Sequence, residues 1–306
     1  MKTEDLYLKV EKWHKNNFDL LGDKKFHFAS RLYLWRNDAF AKERLAKLKK
    51  EYVGIDKNAQ EMKLRSFLNN KKREPAQTKI QKIRRPYHEK YPQLMSFDKI
   101  LFRNLFCLTV YGIDLKDAIH NIGIKEDIIA LRRTLLDDKE AIKALSTMAV
   151  NFFYTSQFIL GNRFAEPEFF LELLLDDWKR GKEYLHLRLY LATHAIIGES
   201  KFYAEPIVYK KEVYVEIAKF AEKLIADNFD NISLDIKFEF LVCAKMMDFS
   251  SVLEGEIRKE AGKSLSQEGL FFVDRYNSNK GIAESFEKSE HRNVLAIMGA
   301  RKWQHA

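Results

Sequence analysis

Four residues have the chemistry and the setting to meet around an interior cavity or groove. His194 lies in the apolar run YLATHAIIG, Cys243 in FLVCAKMM, Gln157 in NFFYTSQFILG and His291 in SEHRNVLAIMG. Imidazole and thiolate groups suit zinc, which in catalytic sites keeps three protein ligands and one open position. No ligand-spacing motif joins these residues, so no metal is assigned, and zinc belongs only to the alternative, enzymatic reading. The competing expectation is that His194 is a hydrogen-bonded core histidine. The two cysteines, Cys107 and Cys243, then act as small buried hydrophobes in a reducing compartment.

A second chemistry is suggested by Asp137-Asp138 and Asp176-Asp177, which resemble the aspartate-rich motifs with which isoprenoid synthases hold magnesium. Hard cations need several carboxylate oxygens converging on one point. Here the runs are DDKEA and DDWKRG, without the further acid at the expected spacing. Helix-end and loop roles are therefore the expectation for both pairs.

Charge supplies the third candidate. The net charge is +9, and residues 42–85 carry fifteen Lys/Arg against five Asp/Glu. The basic patch is expected at Lys71, Lys72, Arg73, Arg84 and Arg85. It could be a solvated helix and linker with no specific partner, dock an acidic protein or peptide, or neutralise phosphates of a nucleic acid. Its few aromatics, Tyr52 and Phe67, are a thin supply for stacking bases, which favours the protein or peptide partner.

The elements that must position these groups read as helices. Only 12 glycines and 5 prolines occur in 306 residues, too few for the frequent tight turns of a sandwich or barrel. Residues 211–227 place Val213, Ile217, Phe220 and Leu224 on one helical face. ISLDIKFEF (232–240) alternates like a strand but runs into LVCAKMM, and it is predicted to be helical. The uncharged stretch Ala144–Asn162 is too polar for a membrane span and reads as one helix buried all round. Within it Tyr154, Thr155, Ser156 and Gln157 must find partners, either in interhelical bonds or lining a cavity. The adjacent pairs Phe152-Phe153, Phe169-Phe170 and Phe271-Phe272 read as core packing.

Pro75, Pro86 and Pro92 fall close together and predict an irregular link, with a basic helical region over 1–92 and a second domain over 93–306. Within the second domain a repeat is visible. LLDD (135–138), FILG (158–161) and AEP (165–167) recur as LLDD (174–177), AIIG (195–198) and AEP (204–206), at spacings of 39, 37 and 39 residues. Weaker copies run from Asp227 to Asp248 and from Asp274 to Gly299. Aligning the copies brings Gln157, His194 and Cys243 to neighbouring positions on the repeated helix. The glycines are expected at left-handed helix ends, the prolines in first turns, and Asp137 with Glu140 as a capping box.

A period of about 40 residues indicates helical hairpins that stack. The pattern resembles an α-solenoid or, if the hairpins close, the α/α toroid of terpenoid-cyclase-like and lanthionine-cyclase-like proteins. That likeness is architectural and implies a concave face or central cavity. No GxSxG, HExxH, Walker A or GxGxxG motif is present. The function expected is that of a non-catalytic binding protein, an accessory subunit holding a peptide or protein partner and presenting it to a separate enzyme. The alternatives are a toroid enzyme around the four cavity residues, and nucleic-acid binding through 42–85. The N-terminal MKTEDLYLKVEKWH has no apolar core, so no leader is expected and the location expected is cytoplasmic.

Overall fold

The computed structural model describes residues 3–69, 78–265, 270–271 and 282–304. Among the described residues there are sixteen α-helices, two 3-10 segments and no strand. The all-α class follows from the scarcity of turn formers. No helix among the described residues is long and apolar enough to cross a membrane. Residues 1–48 and 218–306 form one compact unit, and residues 49–217 form another.

The proline-containing stretch does not fall at that division. Most of 78–92 is a helix, α5 (Lys79–Lys90), inside the second unit, as is the boundary expected near residue 92. The reason is local. Thr78 and Gln81 form a capping box, with Thr78 Oγ1 accepting from the Gln81 N–H at 3.2 Å and Gln81 Oε1 accepting from the Thr78 N–H at 2.8 Å. That fixes the first turn. Pro86, two turns further on, then removes a single backbone donor without preventing the helix. Pro75 lies outside the described residues.

In the first unit α16 (Ile282–Ala300) packs against α1 (Thr3–Asn16), α2 (Lys25–Arg36) and α14 (Leu234–Met246). α14 takes in the alternating run ISLDIKFEF from Leu234 on, while Ile232 and Ser233 stay extended before it, and the helical form explains the odd pattern. Ile236, Phe238 and Phe240 are buried, and so are the intervening Lys237 and Glu239. Burying a charge is costly unless it is paired. Lys237 is paired with Glu260 on α15 (Glu254–Ser264), and its ammonium lies 3.6 Å from the centre of the Phe229 ring.

In the second unit α10 (Thr147–Leu160) packs between α6 (Leu94–Tyr111) and α12 (Lys182–Glu199). The uncharged stretch is thus not one helix: it takes in the end of α9 (Lys139–Leu145) and all of α10, divided at Ser146 with φ 48° and ψ −107°. The Ser146 hydroxyl donates to the Leu187 carbonyl of α12 at 2.7 Å, which ties the break to its neighbour. Thr155 and Ser156 satisfy their hydroxyls on carbonyls of their own helix, at Asn151 and Phe153. Tyr154 bonds the Tyr214 hydroxyl at 2.8 Å, and Tyr214 donates to Glu199, which Arg163 grips with two hydrogen bonds. Of the aromatic pairs, Phe152, Phe153, Phe170 and Phe271 are buried, while Phe272 is outside the described residues.

The matching sequence elements occupy different structural positions. Gly161 ends α10 with a left-handed φ of 76°, as expected, whereas Gly198 is buried inside α12. Pro167 opens α11 (Pro167–Leu175) at its first turn, but Pro206 lies in the connection before α13 (Lys211–Asp227). The cap of α9 is Asp138, accepting from the Ala141 N–H at 3.0 Å, one residue later than the expected Asp137.

Candidate functional site

The four expected cavity residues are divided between the units, with Gln157 and His194 in the second and Cys243 and His291 in the first. His194 Nδ1 lies 2.7 Å from Asn151 Oδ1, a hydrogen bond between α12 and α10. Gln157 Oε1 accepts from the Phe164 N–H at 3.3 Å and fastens the chain leaving α10. Cys243 is fully buried on α14, and burial, aided by the Glu239 charge, pushes its thiol well above the ordinary value. A thiolate ligand or nucleophile needs the opposite shift.

His291 faces Glu239 at 3.7 Å, and its ring centre is 5.5 Å from that of His27. His27 Nδ1 in turn meets the buried Glu290 carboxylate at 2.7 Å. No group of three or more His, Cys, Asp or Glu able to hold a metal ion occurs among the described residues. Asp137 and Asp138 end and begin helices, and Asp176 ends α11, which accounts for both aspartate pairs.

The basic patch fares unevenly. Lys71, Lys72 and Arg73 lie outside the described residues. Arg84 points inward, its Nε donating to the Ala144 carbonyl at 3.3 Å, and burial lowers its pKa. Arg85 is exposed and bonded to Glu89 at 3.0 Å, one turn along α5.

The residue types that a binding surface needs come together instead in a groove of about 540 Å³ within the second unit. α5 supplies one wall with Lys82, Ile83, Pro86 and Tyr87, successive positions of one helical face. α9 supplies Glu140, Lys143 and Ala144. The loop between α11 and α12 supplies Asp177, Trp178 and Lys179, and the first turn of α12 adds Tyr184. Six of the lining residues are apolar or aromatic and five are charged, a mixture that suits a polar ligand with flat faces.

The walls are fixed in place by bonds that use up particular groups. Lys143 is largely buried, and its three ammonium donors are taken by Glu140 at 3.1 Å, Asp176 at 2.8 Å and the Asp177 carbonyl at 2.9 Å. Burial would lower its pKa, but the two carboxylates outweigh that and raise it. The hydrogen bond from Lys143 in turn holds Asp176 below the ordinary carboxylate value.

The Trp178 indole N–H donates to the Leu173 carbonyl at 2.8 Å, so the ring is anchored to the end of α11. Its centre lies 5.9 Å from the Lys143 ammonium and 5.8 Å from the Arg188 guanidinium. Lys79 and Glu183 pair across from α5 to α12 at 3.3 Å. Lys82 and Lys179, by contrast, are exposed and make no ion pair among the described residues, though the Lys179 ammonium lies 5.9 Å from the centre of the Tyr184 ring; Arg180 in the loop and Lys182 at the start of α12 likewise make no ion pair.

Trp178, Lys179 and Tyr184 do not stand out in the sequence because DDWKRGKEY is read there only as a defective metal motif. A usable signal was nonetheless present: an aromatic next to three cations around Gly181, outside any helical period. A smaller cavity of about 330 Å³ adjoins α7 (Lys116–Asn121), where Lys116, Asp117 and His120 lie along its edge. No protein-family model matches the chain, and comparison with curated proteins and with solved structures returns no match.

Proposed function

We propose that the protein is a non-catalytic binding protein, built of stacked helical hairpins, that holds an anionic partner in the groove between α5, α9 and the start of α12. One observation carries the reading. Lys143 is held by Glu140 and Asp176, while Lys82 and Lys179 make no ion pair among the described residues and border Tyr87, Trp178 and Tyr184. A cation already satisfied by the fold has little to offer a ligand. An exposed, unpaired one attracts the opposite charge and speeds encounter with it. Glu140 and Asp176 are engaged by Lys143, an arrangement that suits a rigid wall better than acid–base turnover.

The test compares retention on immobilised heparin, a general polyanion. The double variant Lys82→Glu/Lys179→Glu is set against Lys259→Glu/Lys263→Glu, which changes the net charge equally at exposed positions that neither line the groove nor belong to the basic segment. The proposal expects elution at distinctly lower salt for the groove variant than for the control. Equal elution of the two variants would refute it.

A further inference from the structure

We infer that the partner taken by this groove is a single-stranded nucleic acid, an inference that rests on the anion-binding reading above. The basic segment is poor in aromatics along the sequence, but the fold supplies them from elsewhere. α5, which begins within that segment and runs beyond it, contributes Lys82 and Tyr87. The α11–α12 loop and the first turn of α12 place Trp178 and Tyr184 across from them. Three rings in one groove, bordered by unpaired cations on two walls, are the combination that binds unpaired strands. Phosphates neutralise lysines while base faces stack on aromatic faces.

Two features favour this ligand over an acidic peptide. A peptide carboxylate would use the cations but leave the ring faces without planar partners, whereas each nucleotide brings one charge and one π-face. The acids of the groove also do little to repel a phosphate chain. Glu140 is already bonded to Lys143, which leaves Asp177 as the exposed carboxylate facing at least two unpaired lysines. The anchored indole of Trp178 and the fully satisfied Lys143 make the surface rigid before binding, which reduces the ordering cost.

The experiment is fluorescence anisotropy with a labelled oligothymidylate of about twelve nucleotides, a length within the span one binding fold covers. A labelled oligoglutamate of similar length and unlabelled thymidine monophosphate serve as comparison ligands. The intact chain is expected to bind the oligonucleotide with an affinity that falls steeply with salt. Trp178→Ala should weaken binding about tenfold at an unchanged salt slope, because a base no longer stacks there. Lys82→Glu/Lys179→Glu should weaken it and flatten the slope by roughly 0.7 for each phosphate that is no longer neutralised. Both lysines are exposed, so this variant carries the test if Trp178→Ala fails to fold.

Binding of oligoglutamate but not of oligothymidylate would overturn the nucleic-acid inference and leave the anionic groove standing. Binding of neither would overturn both. Oligothymidylate binding that ignores the two variants would place the strand elsewhere and refute the inference. Displacement by thymidine monophosphate as effectively as by the oligonucleotide would show a nucleotide pocket, not a strand groove, and would equally refute it.

Discussion

Residues 135–167 and 174–206 carry the same three sequence elements, and the molecule uses them differently. In the first, LLDD ends α8 (Lys125–Leu136) and starts α9 at once, because Asp138 caps the next helix. In the second, Asp176 ends α11 in an extended conformation and the next helix begins only at Lys182. The residues released, 176–181, supply a wall of the groove. Gly161 ends a helix because its backbone is left-handed. Gly198 is needed for close approach instead: a Cβ there would stand 2.3 Å from Cδ2 of Tyr154. The same residue types thus serve different ends in the two copies, and the departure between the copies is where the groove arises.

Substitutions can break this contrast, beginning with the glycines. Gly198→Ala drives a methyl into a buried ring whose hydroxyl is fixed by Tyr214, so neither side can yield. We expect a loss of about 3 kcal/mol in a urea titration, the upper end of overpacking costs. Gly161→Ala has open space around the new methyl and suffers only from the left-handed backbone, about 1 kcal/mol. Equal losses at the two positions would erase the distinction.

The aspartates give smaller effects. Asp138→Ala removes a helix cap and the partner of Lys90 and Tyr91, for about 1 kcal/mol. Asp177→Ala, at an exposed position, should stay within about 0.5 kcal/mol. The same pair can be sharpened by pH. Burial alone would raise the Asp138 carboxyl, but hydrogen bonds from Lys90, the Ala141 N–H and Tyr91 outweigh it and hold it below the ordinary value. A carboxyl depressed in the folded state stabilises above its unfolded pKa of about 4, and that contribution is lost as pH falls through the folded pKa. Asp138→Asn keeps a capping side chain, so its deficit in melting temperature should shrink as pH is lowered from about 5 toward about 3. A deficit that persists at low pH would mean the charge is not what Asp138 contributes.

Much of the fold could be read from residue spacing. The helix over 211–227 holds, but its buried face is Tyr214, Ile217, Ala218, Ala221 and Ile225, with Val213, Phe220 and Leu224 half-buried beside it; ISLDIKFEF is helical from Leu234 on, because LVCAKMM continues the same buried cylinder. Pro86 misled because proline is a reliable breaker only when nothing else fixes the helix, and a capping box several residues earlier is a weak signal beside it. Ser146 gave no warning of its positive φ, since its reason is a hydrogen bond to a helix about forty residues away. The expected cavity residues share one cause of error. Equivalent positions in aligned copies need not face one space, and His194 and Gln157 engage their polar atoms with Asn151 and the Phe164 N–H. The groove was illegible for the converse reason. Its aromatics and cations come from α5, α9 and a loop about a hundred residues beyond α5, and only folding collects them.

The central claim is that the loop beginning at Asp176 is the binding surface, and Trp178 reports on it directly. The chain has four tryptophans, and each indole N–H gives its own resonance in a proton–nitrogen correlation spectrum. The resonance missing from Trp178→Phe identifies Trp178. Addition of oligothymidylate is expected to shift that signal first and most strongly among the four. Saturating ligand that leaves the Trp178 resonance in place while others move would contradict the account.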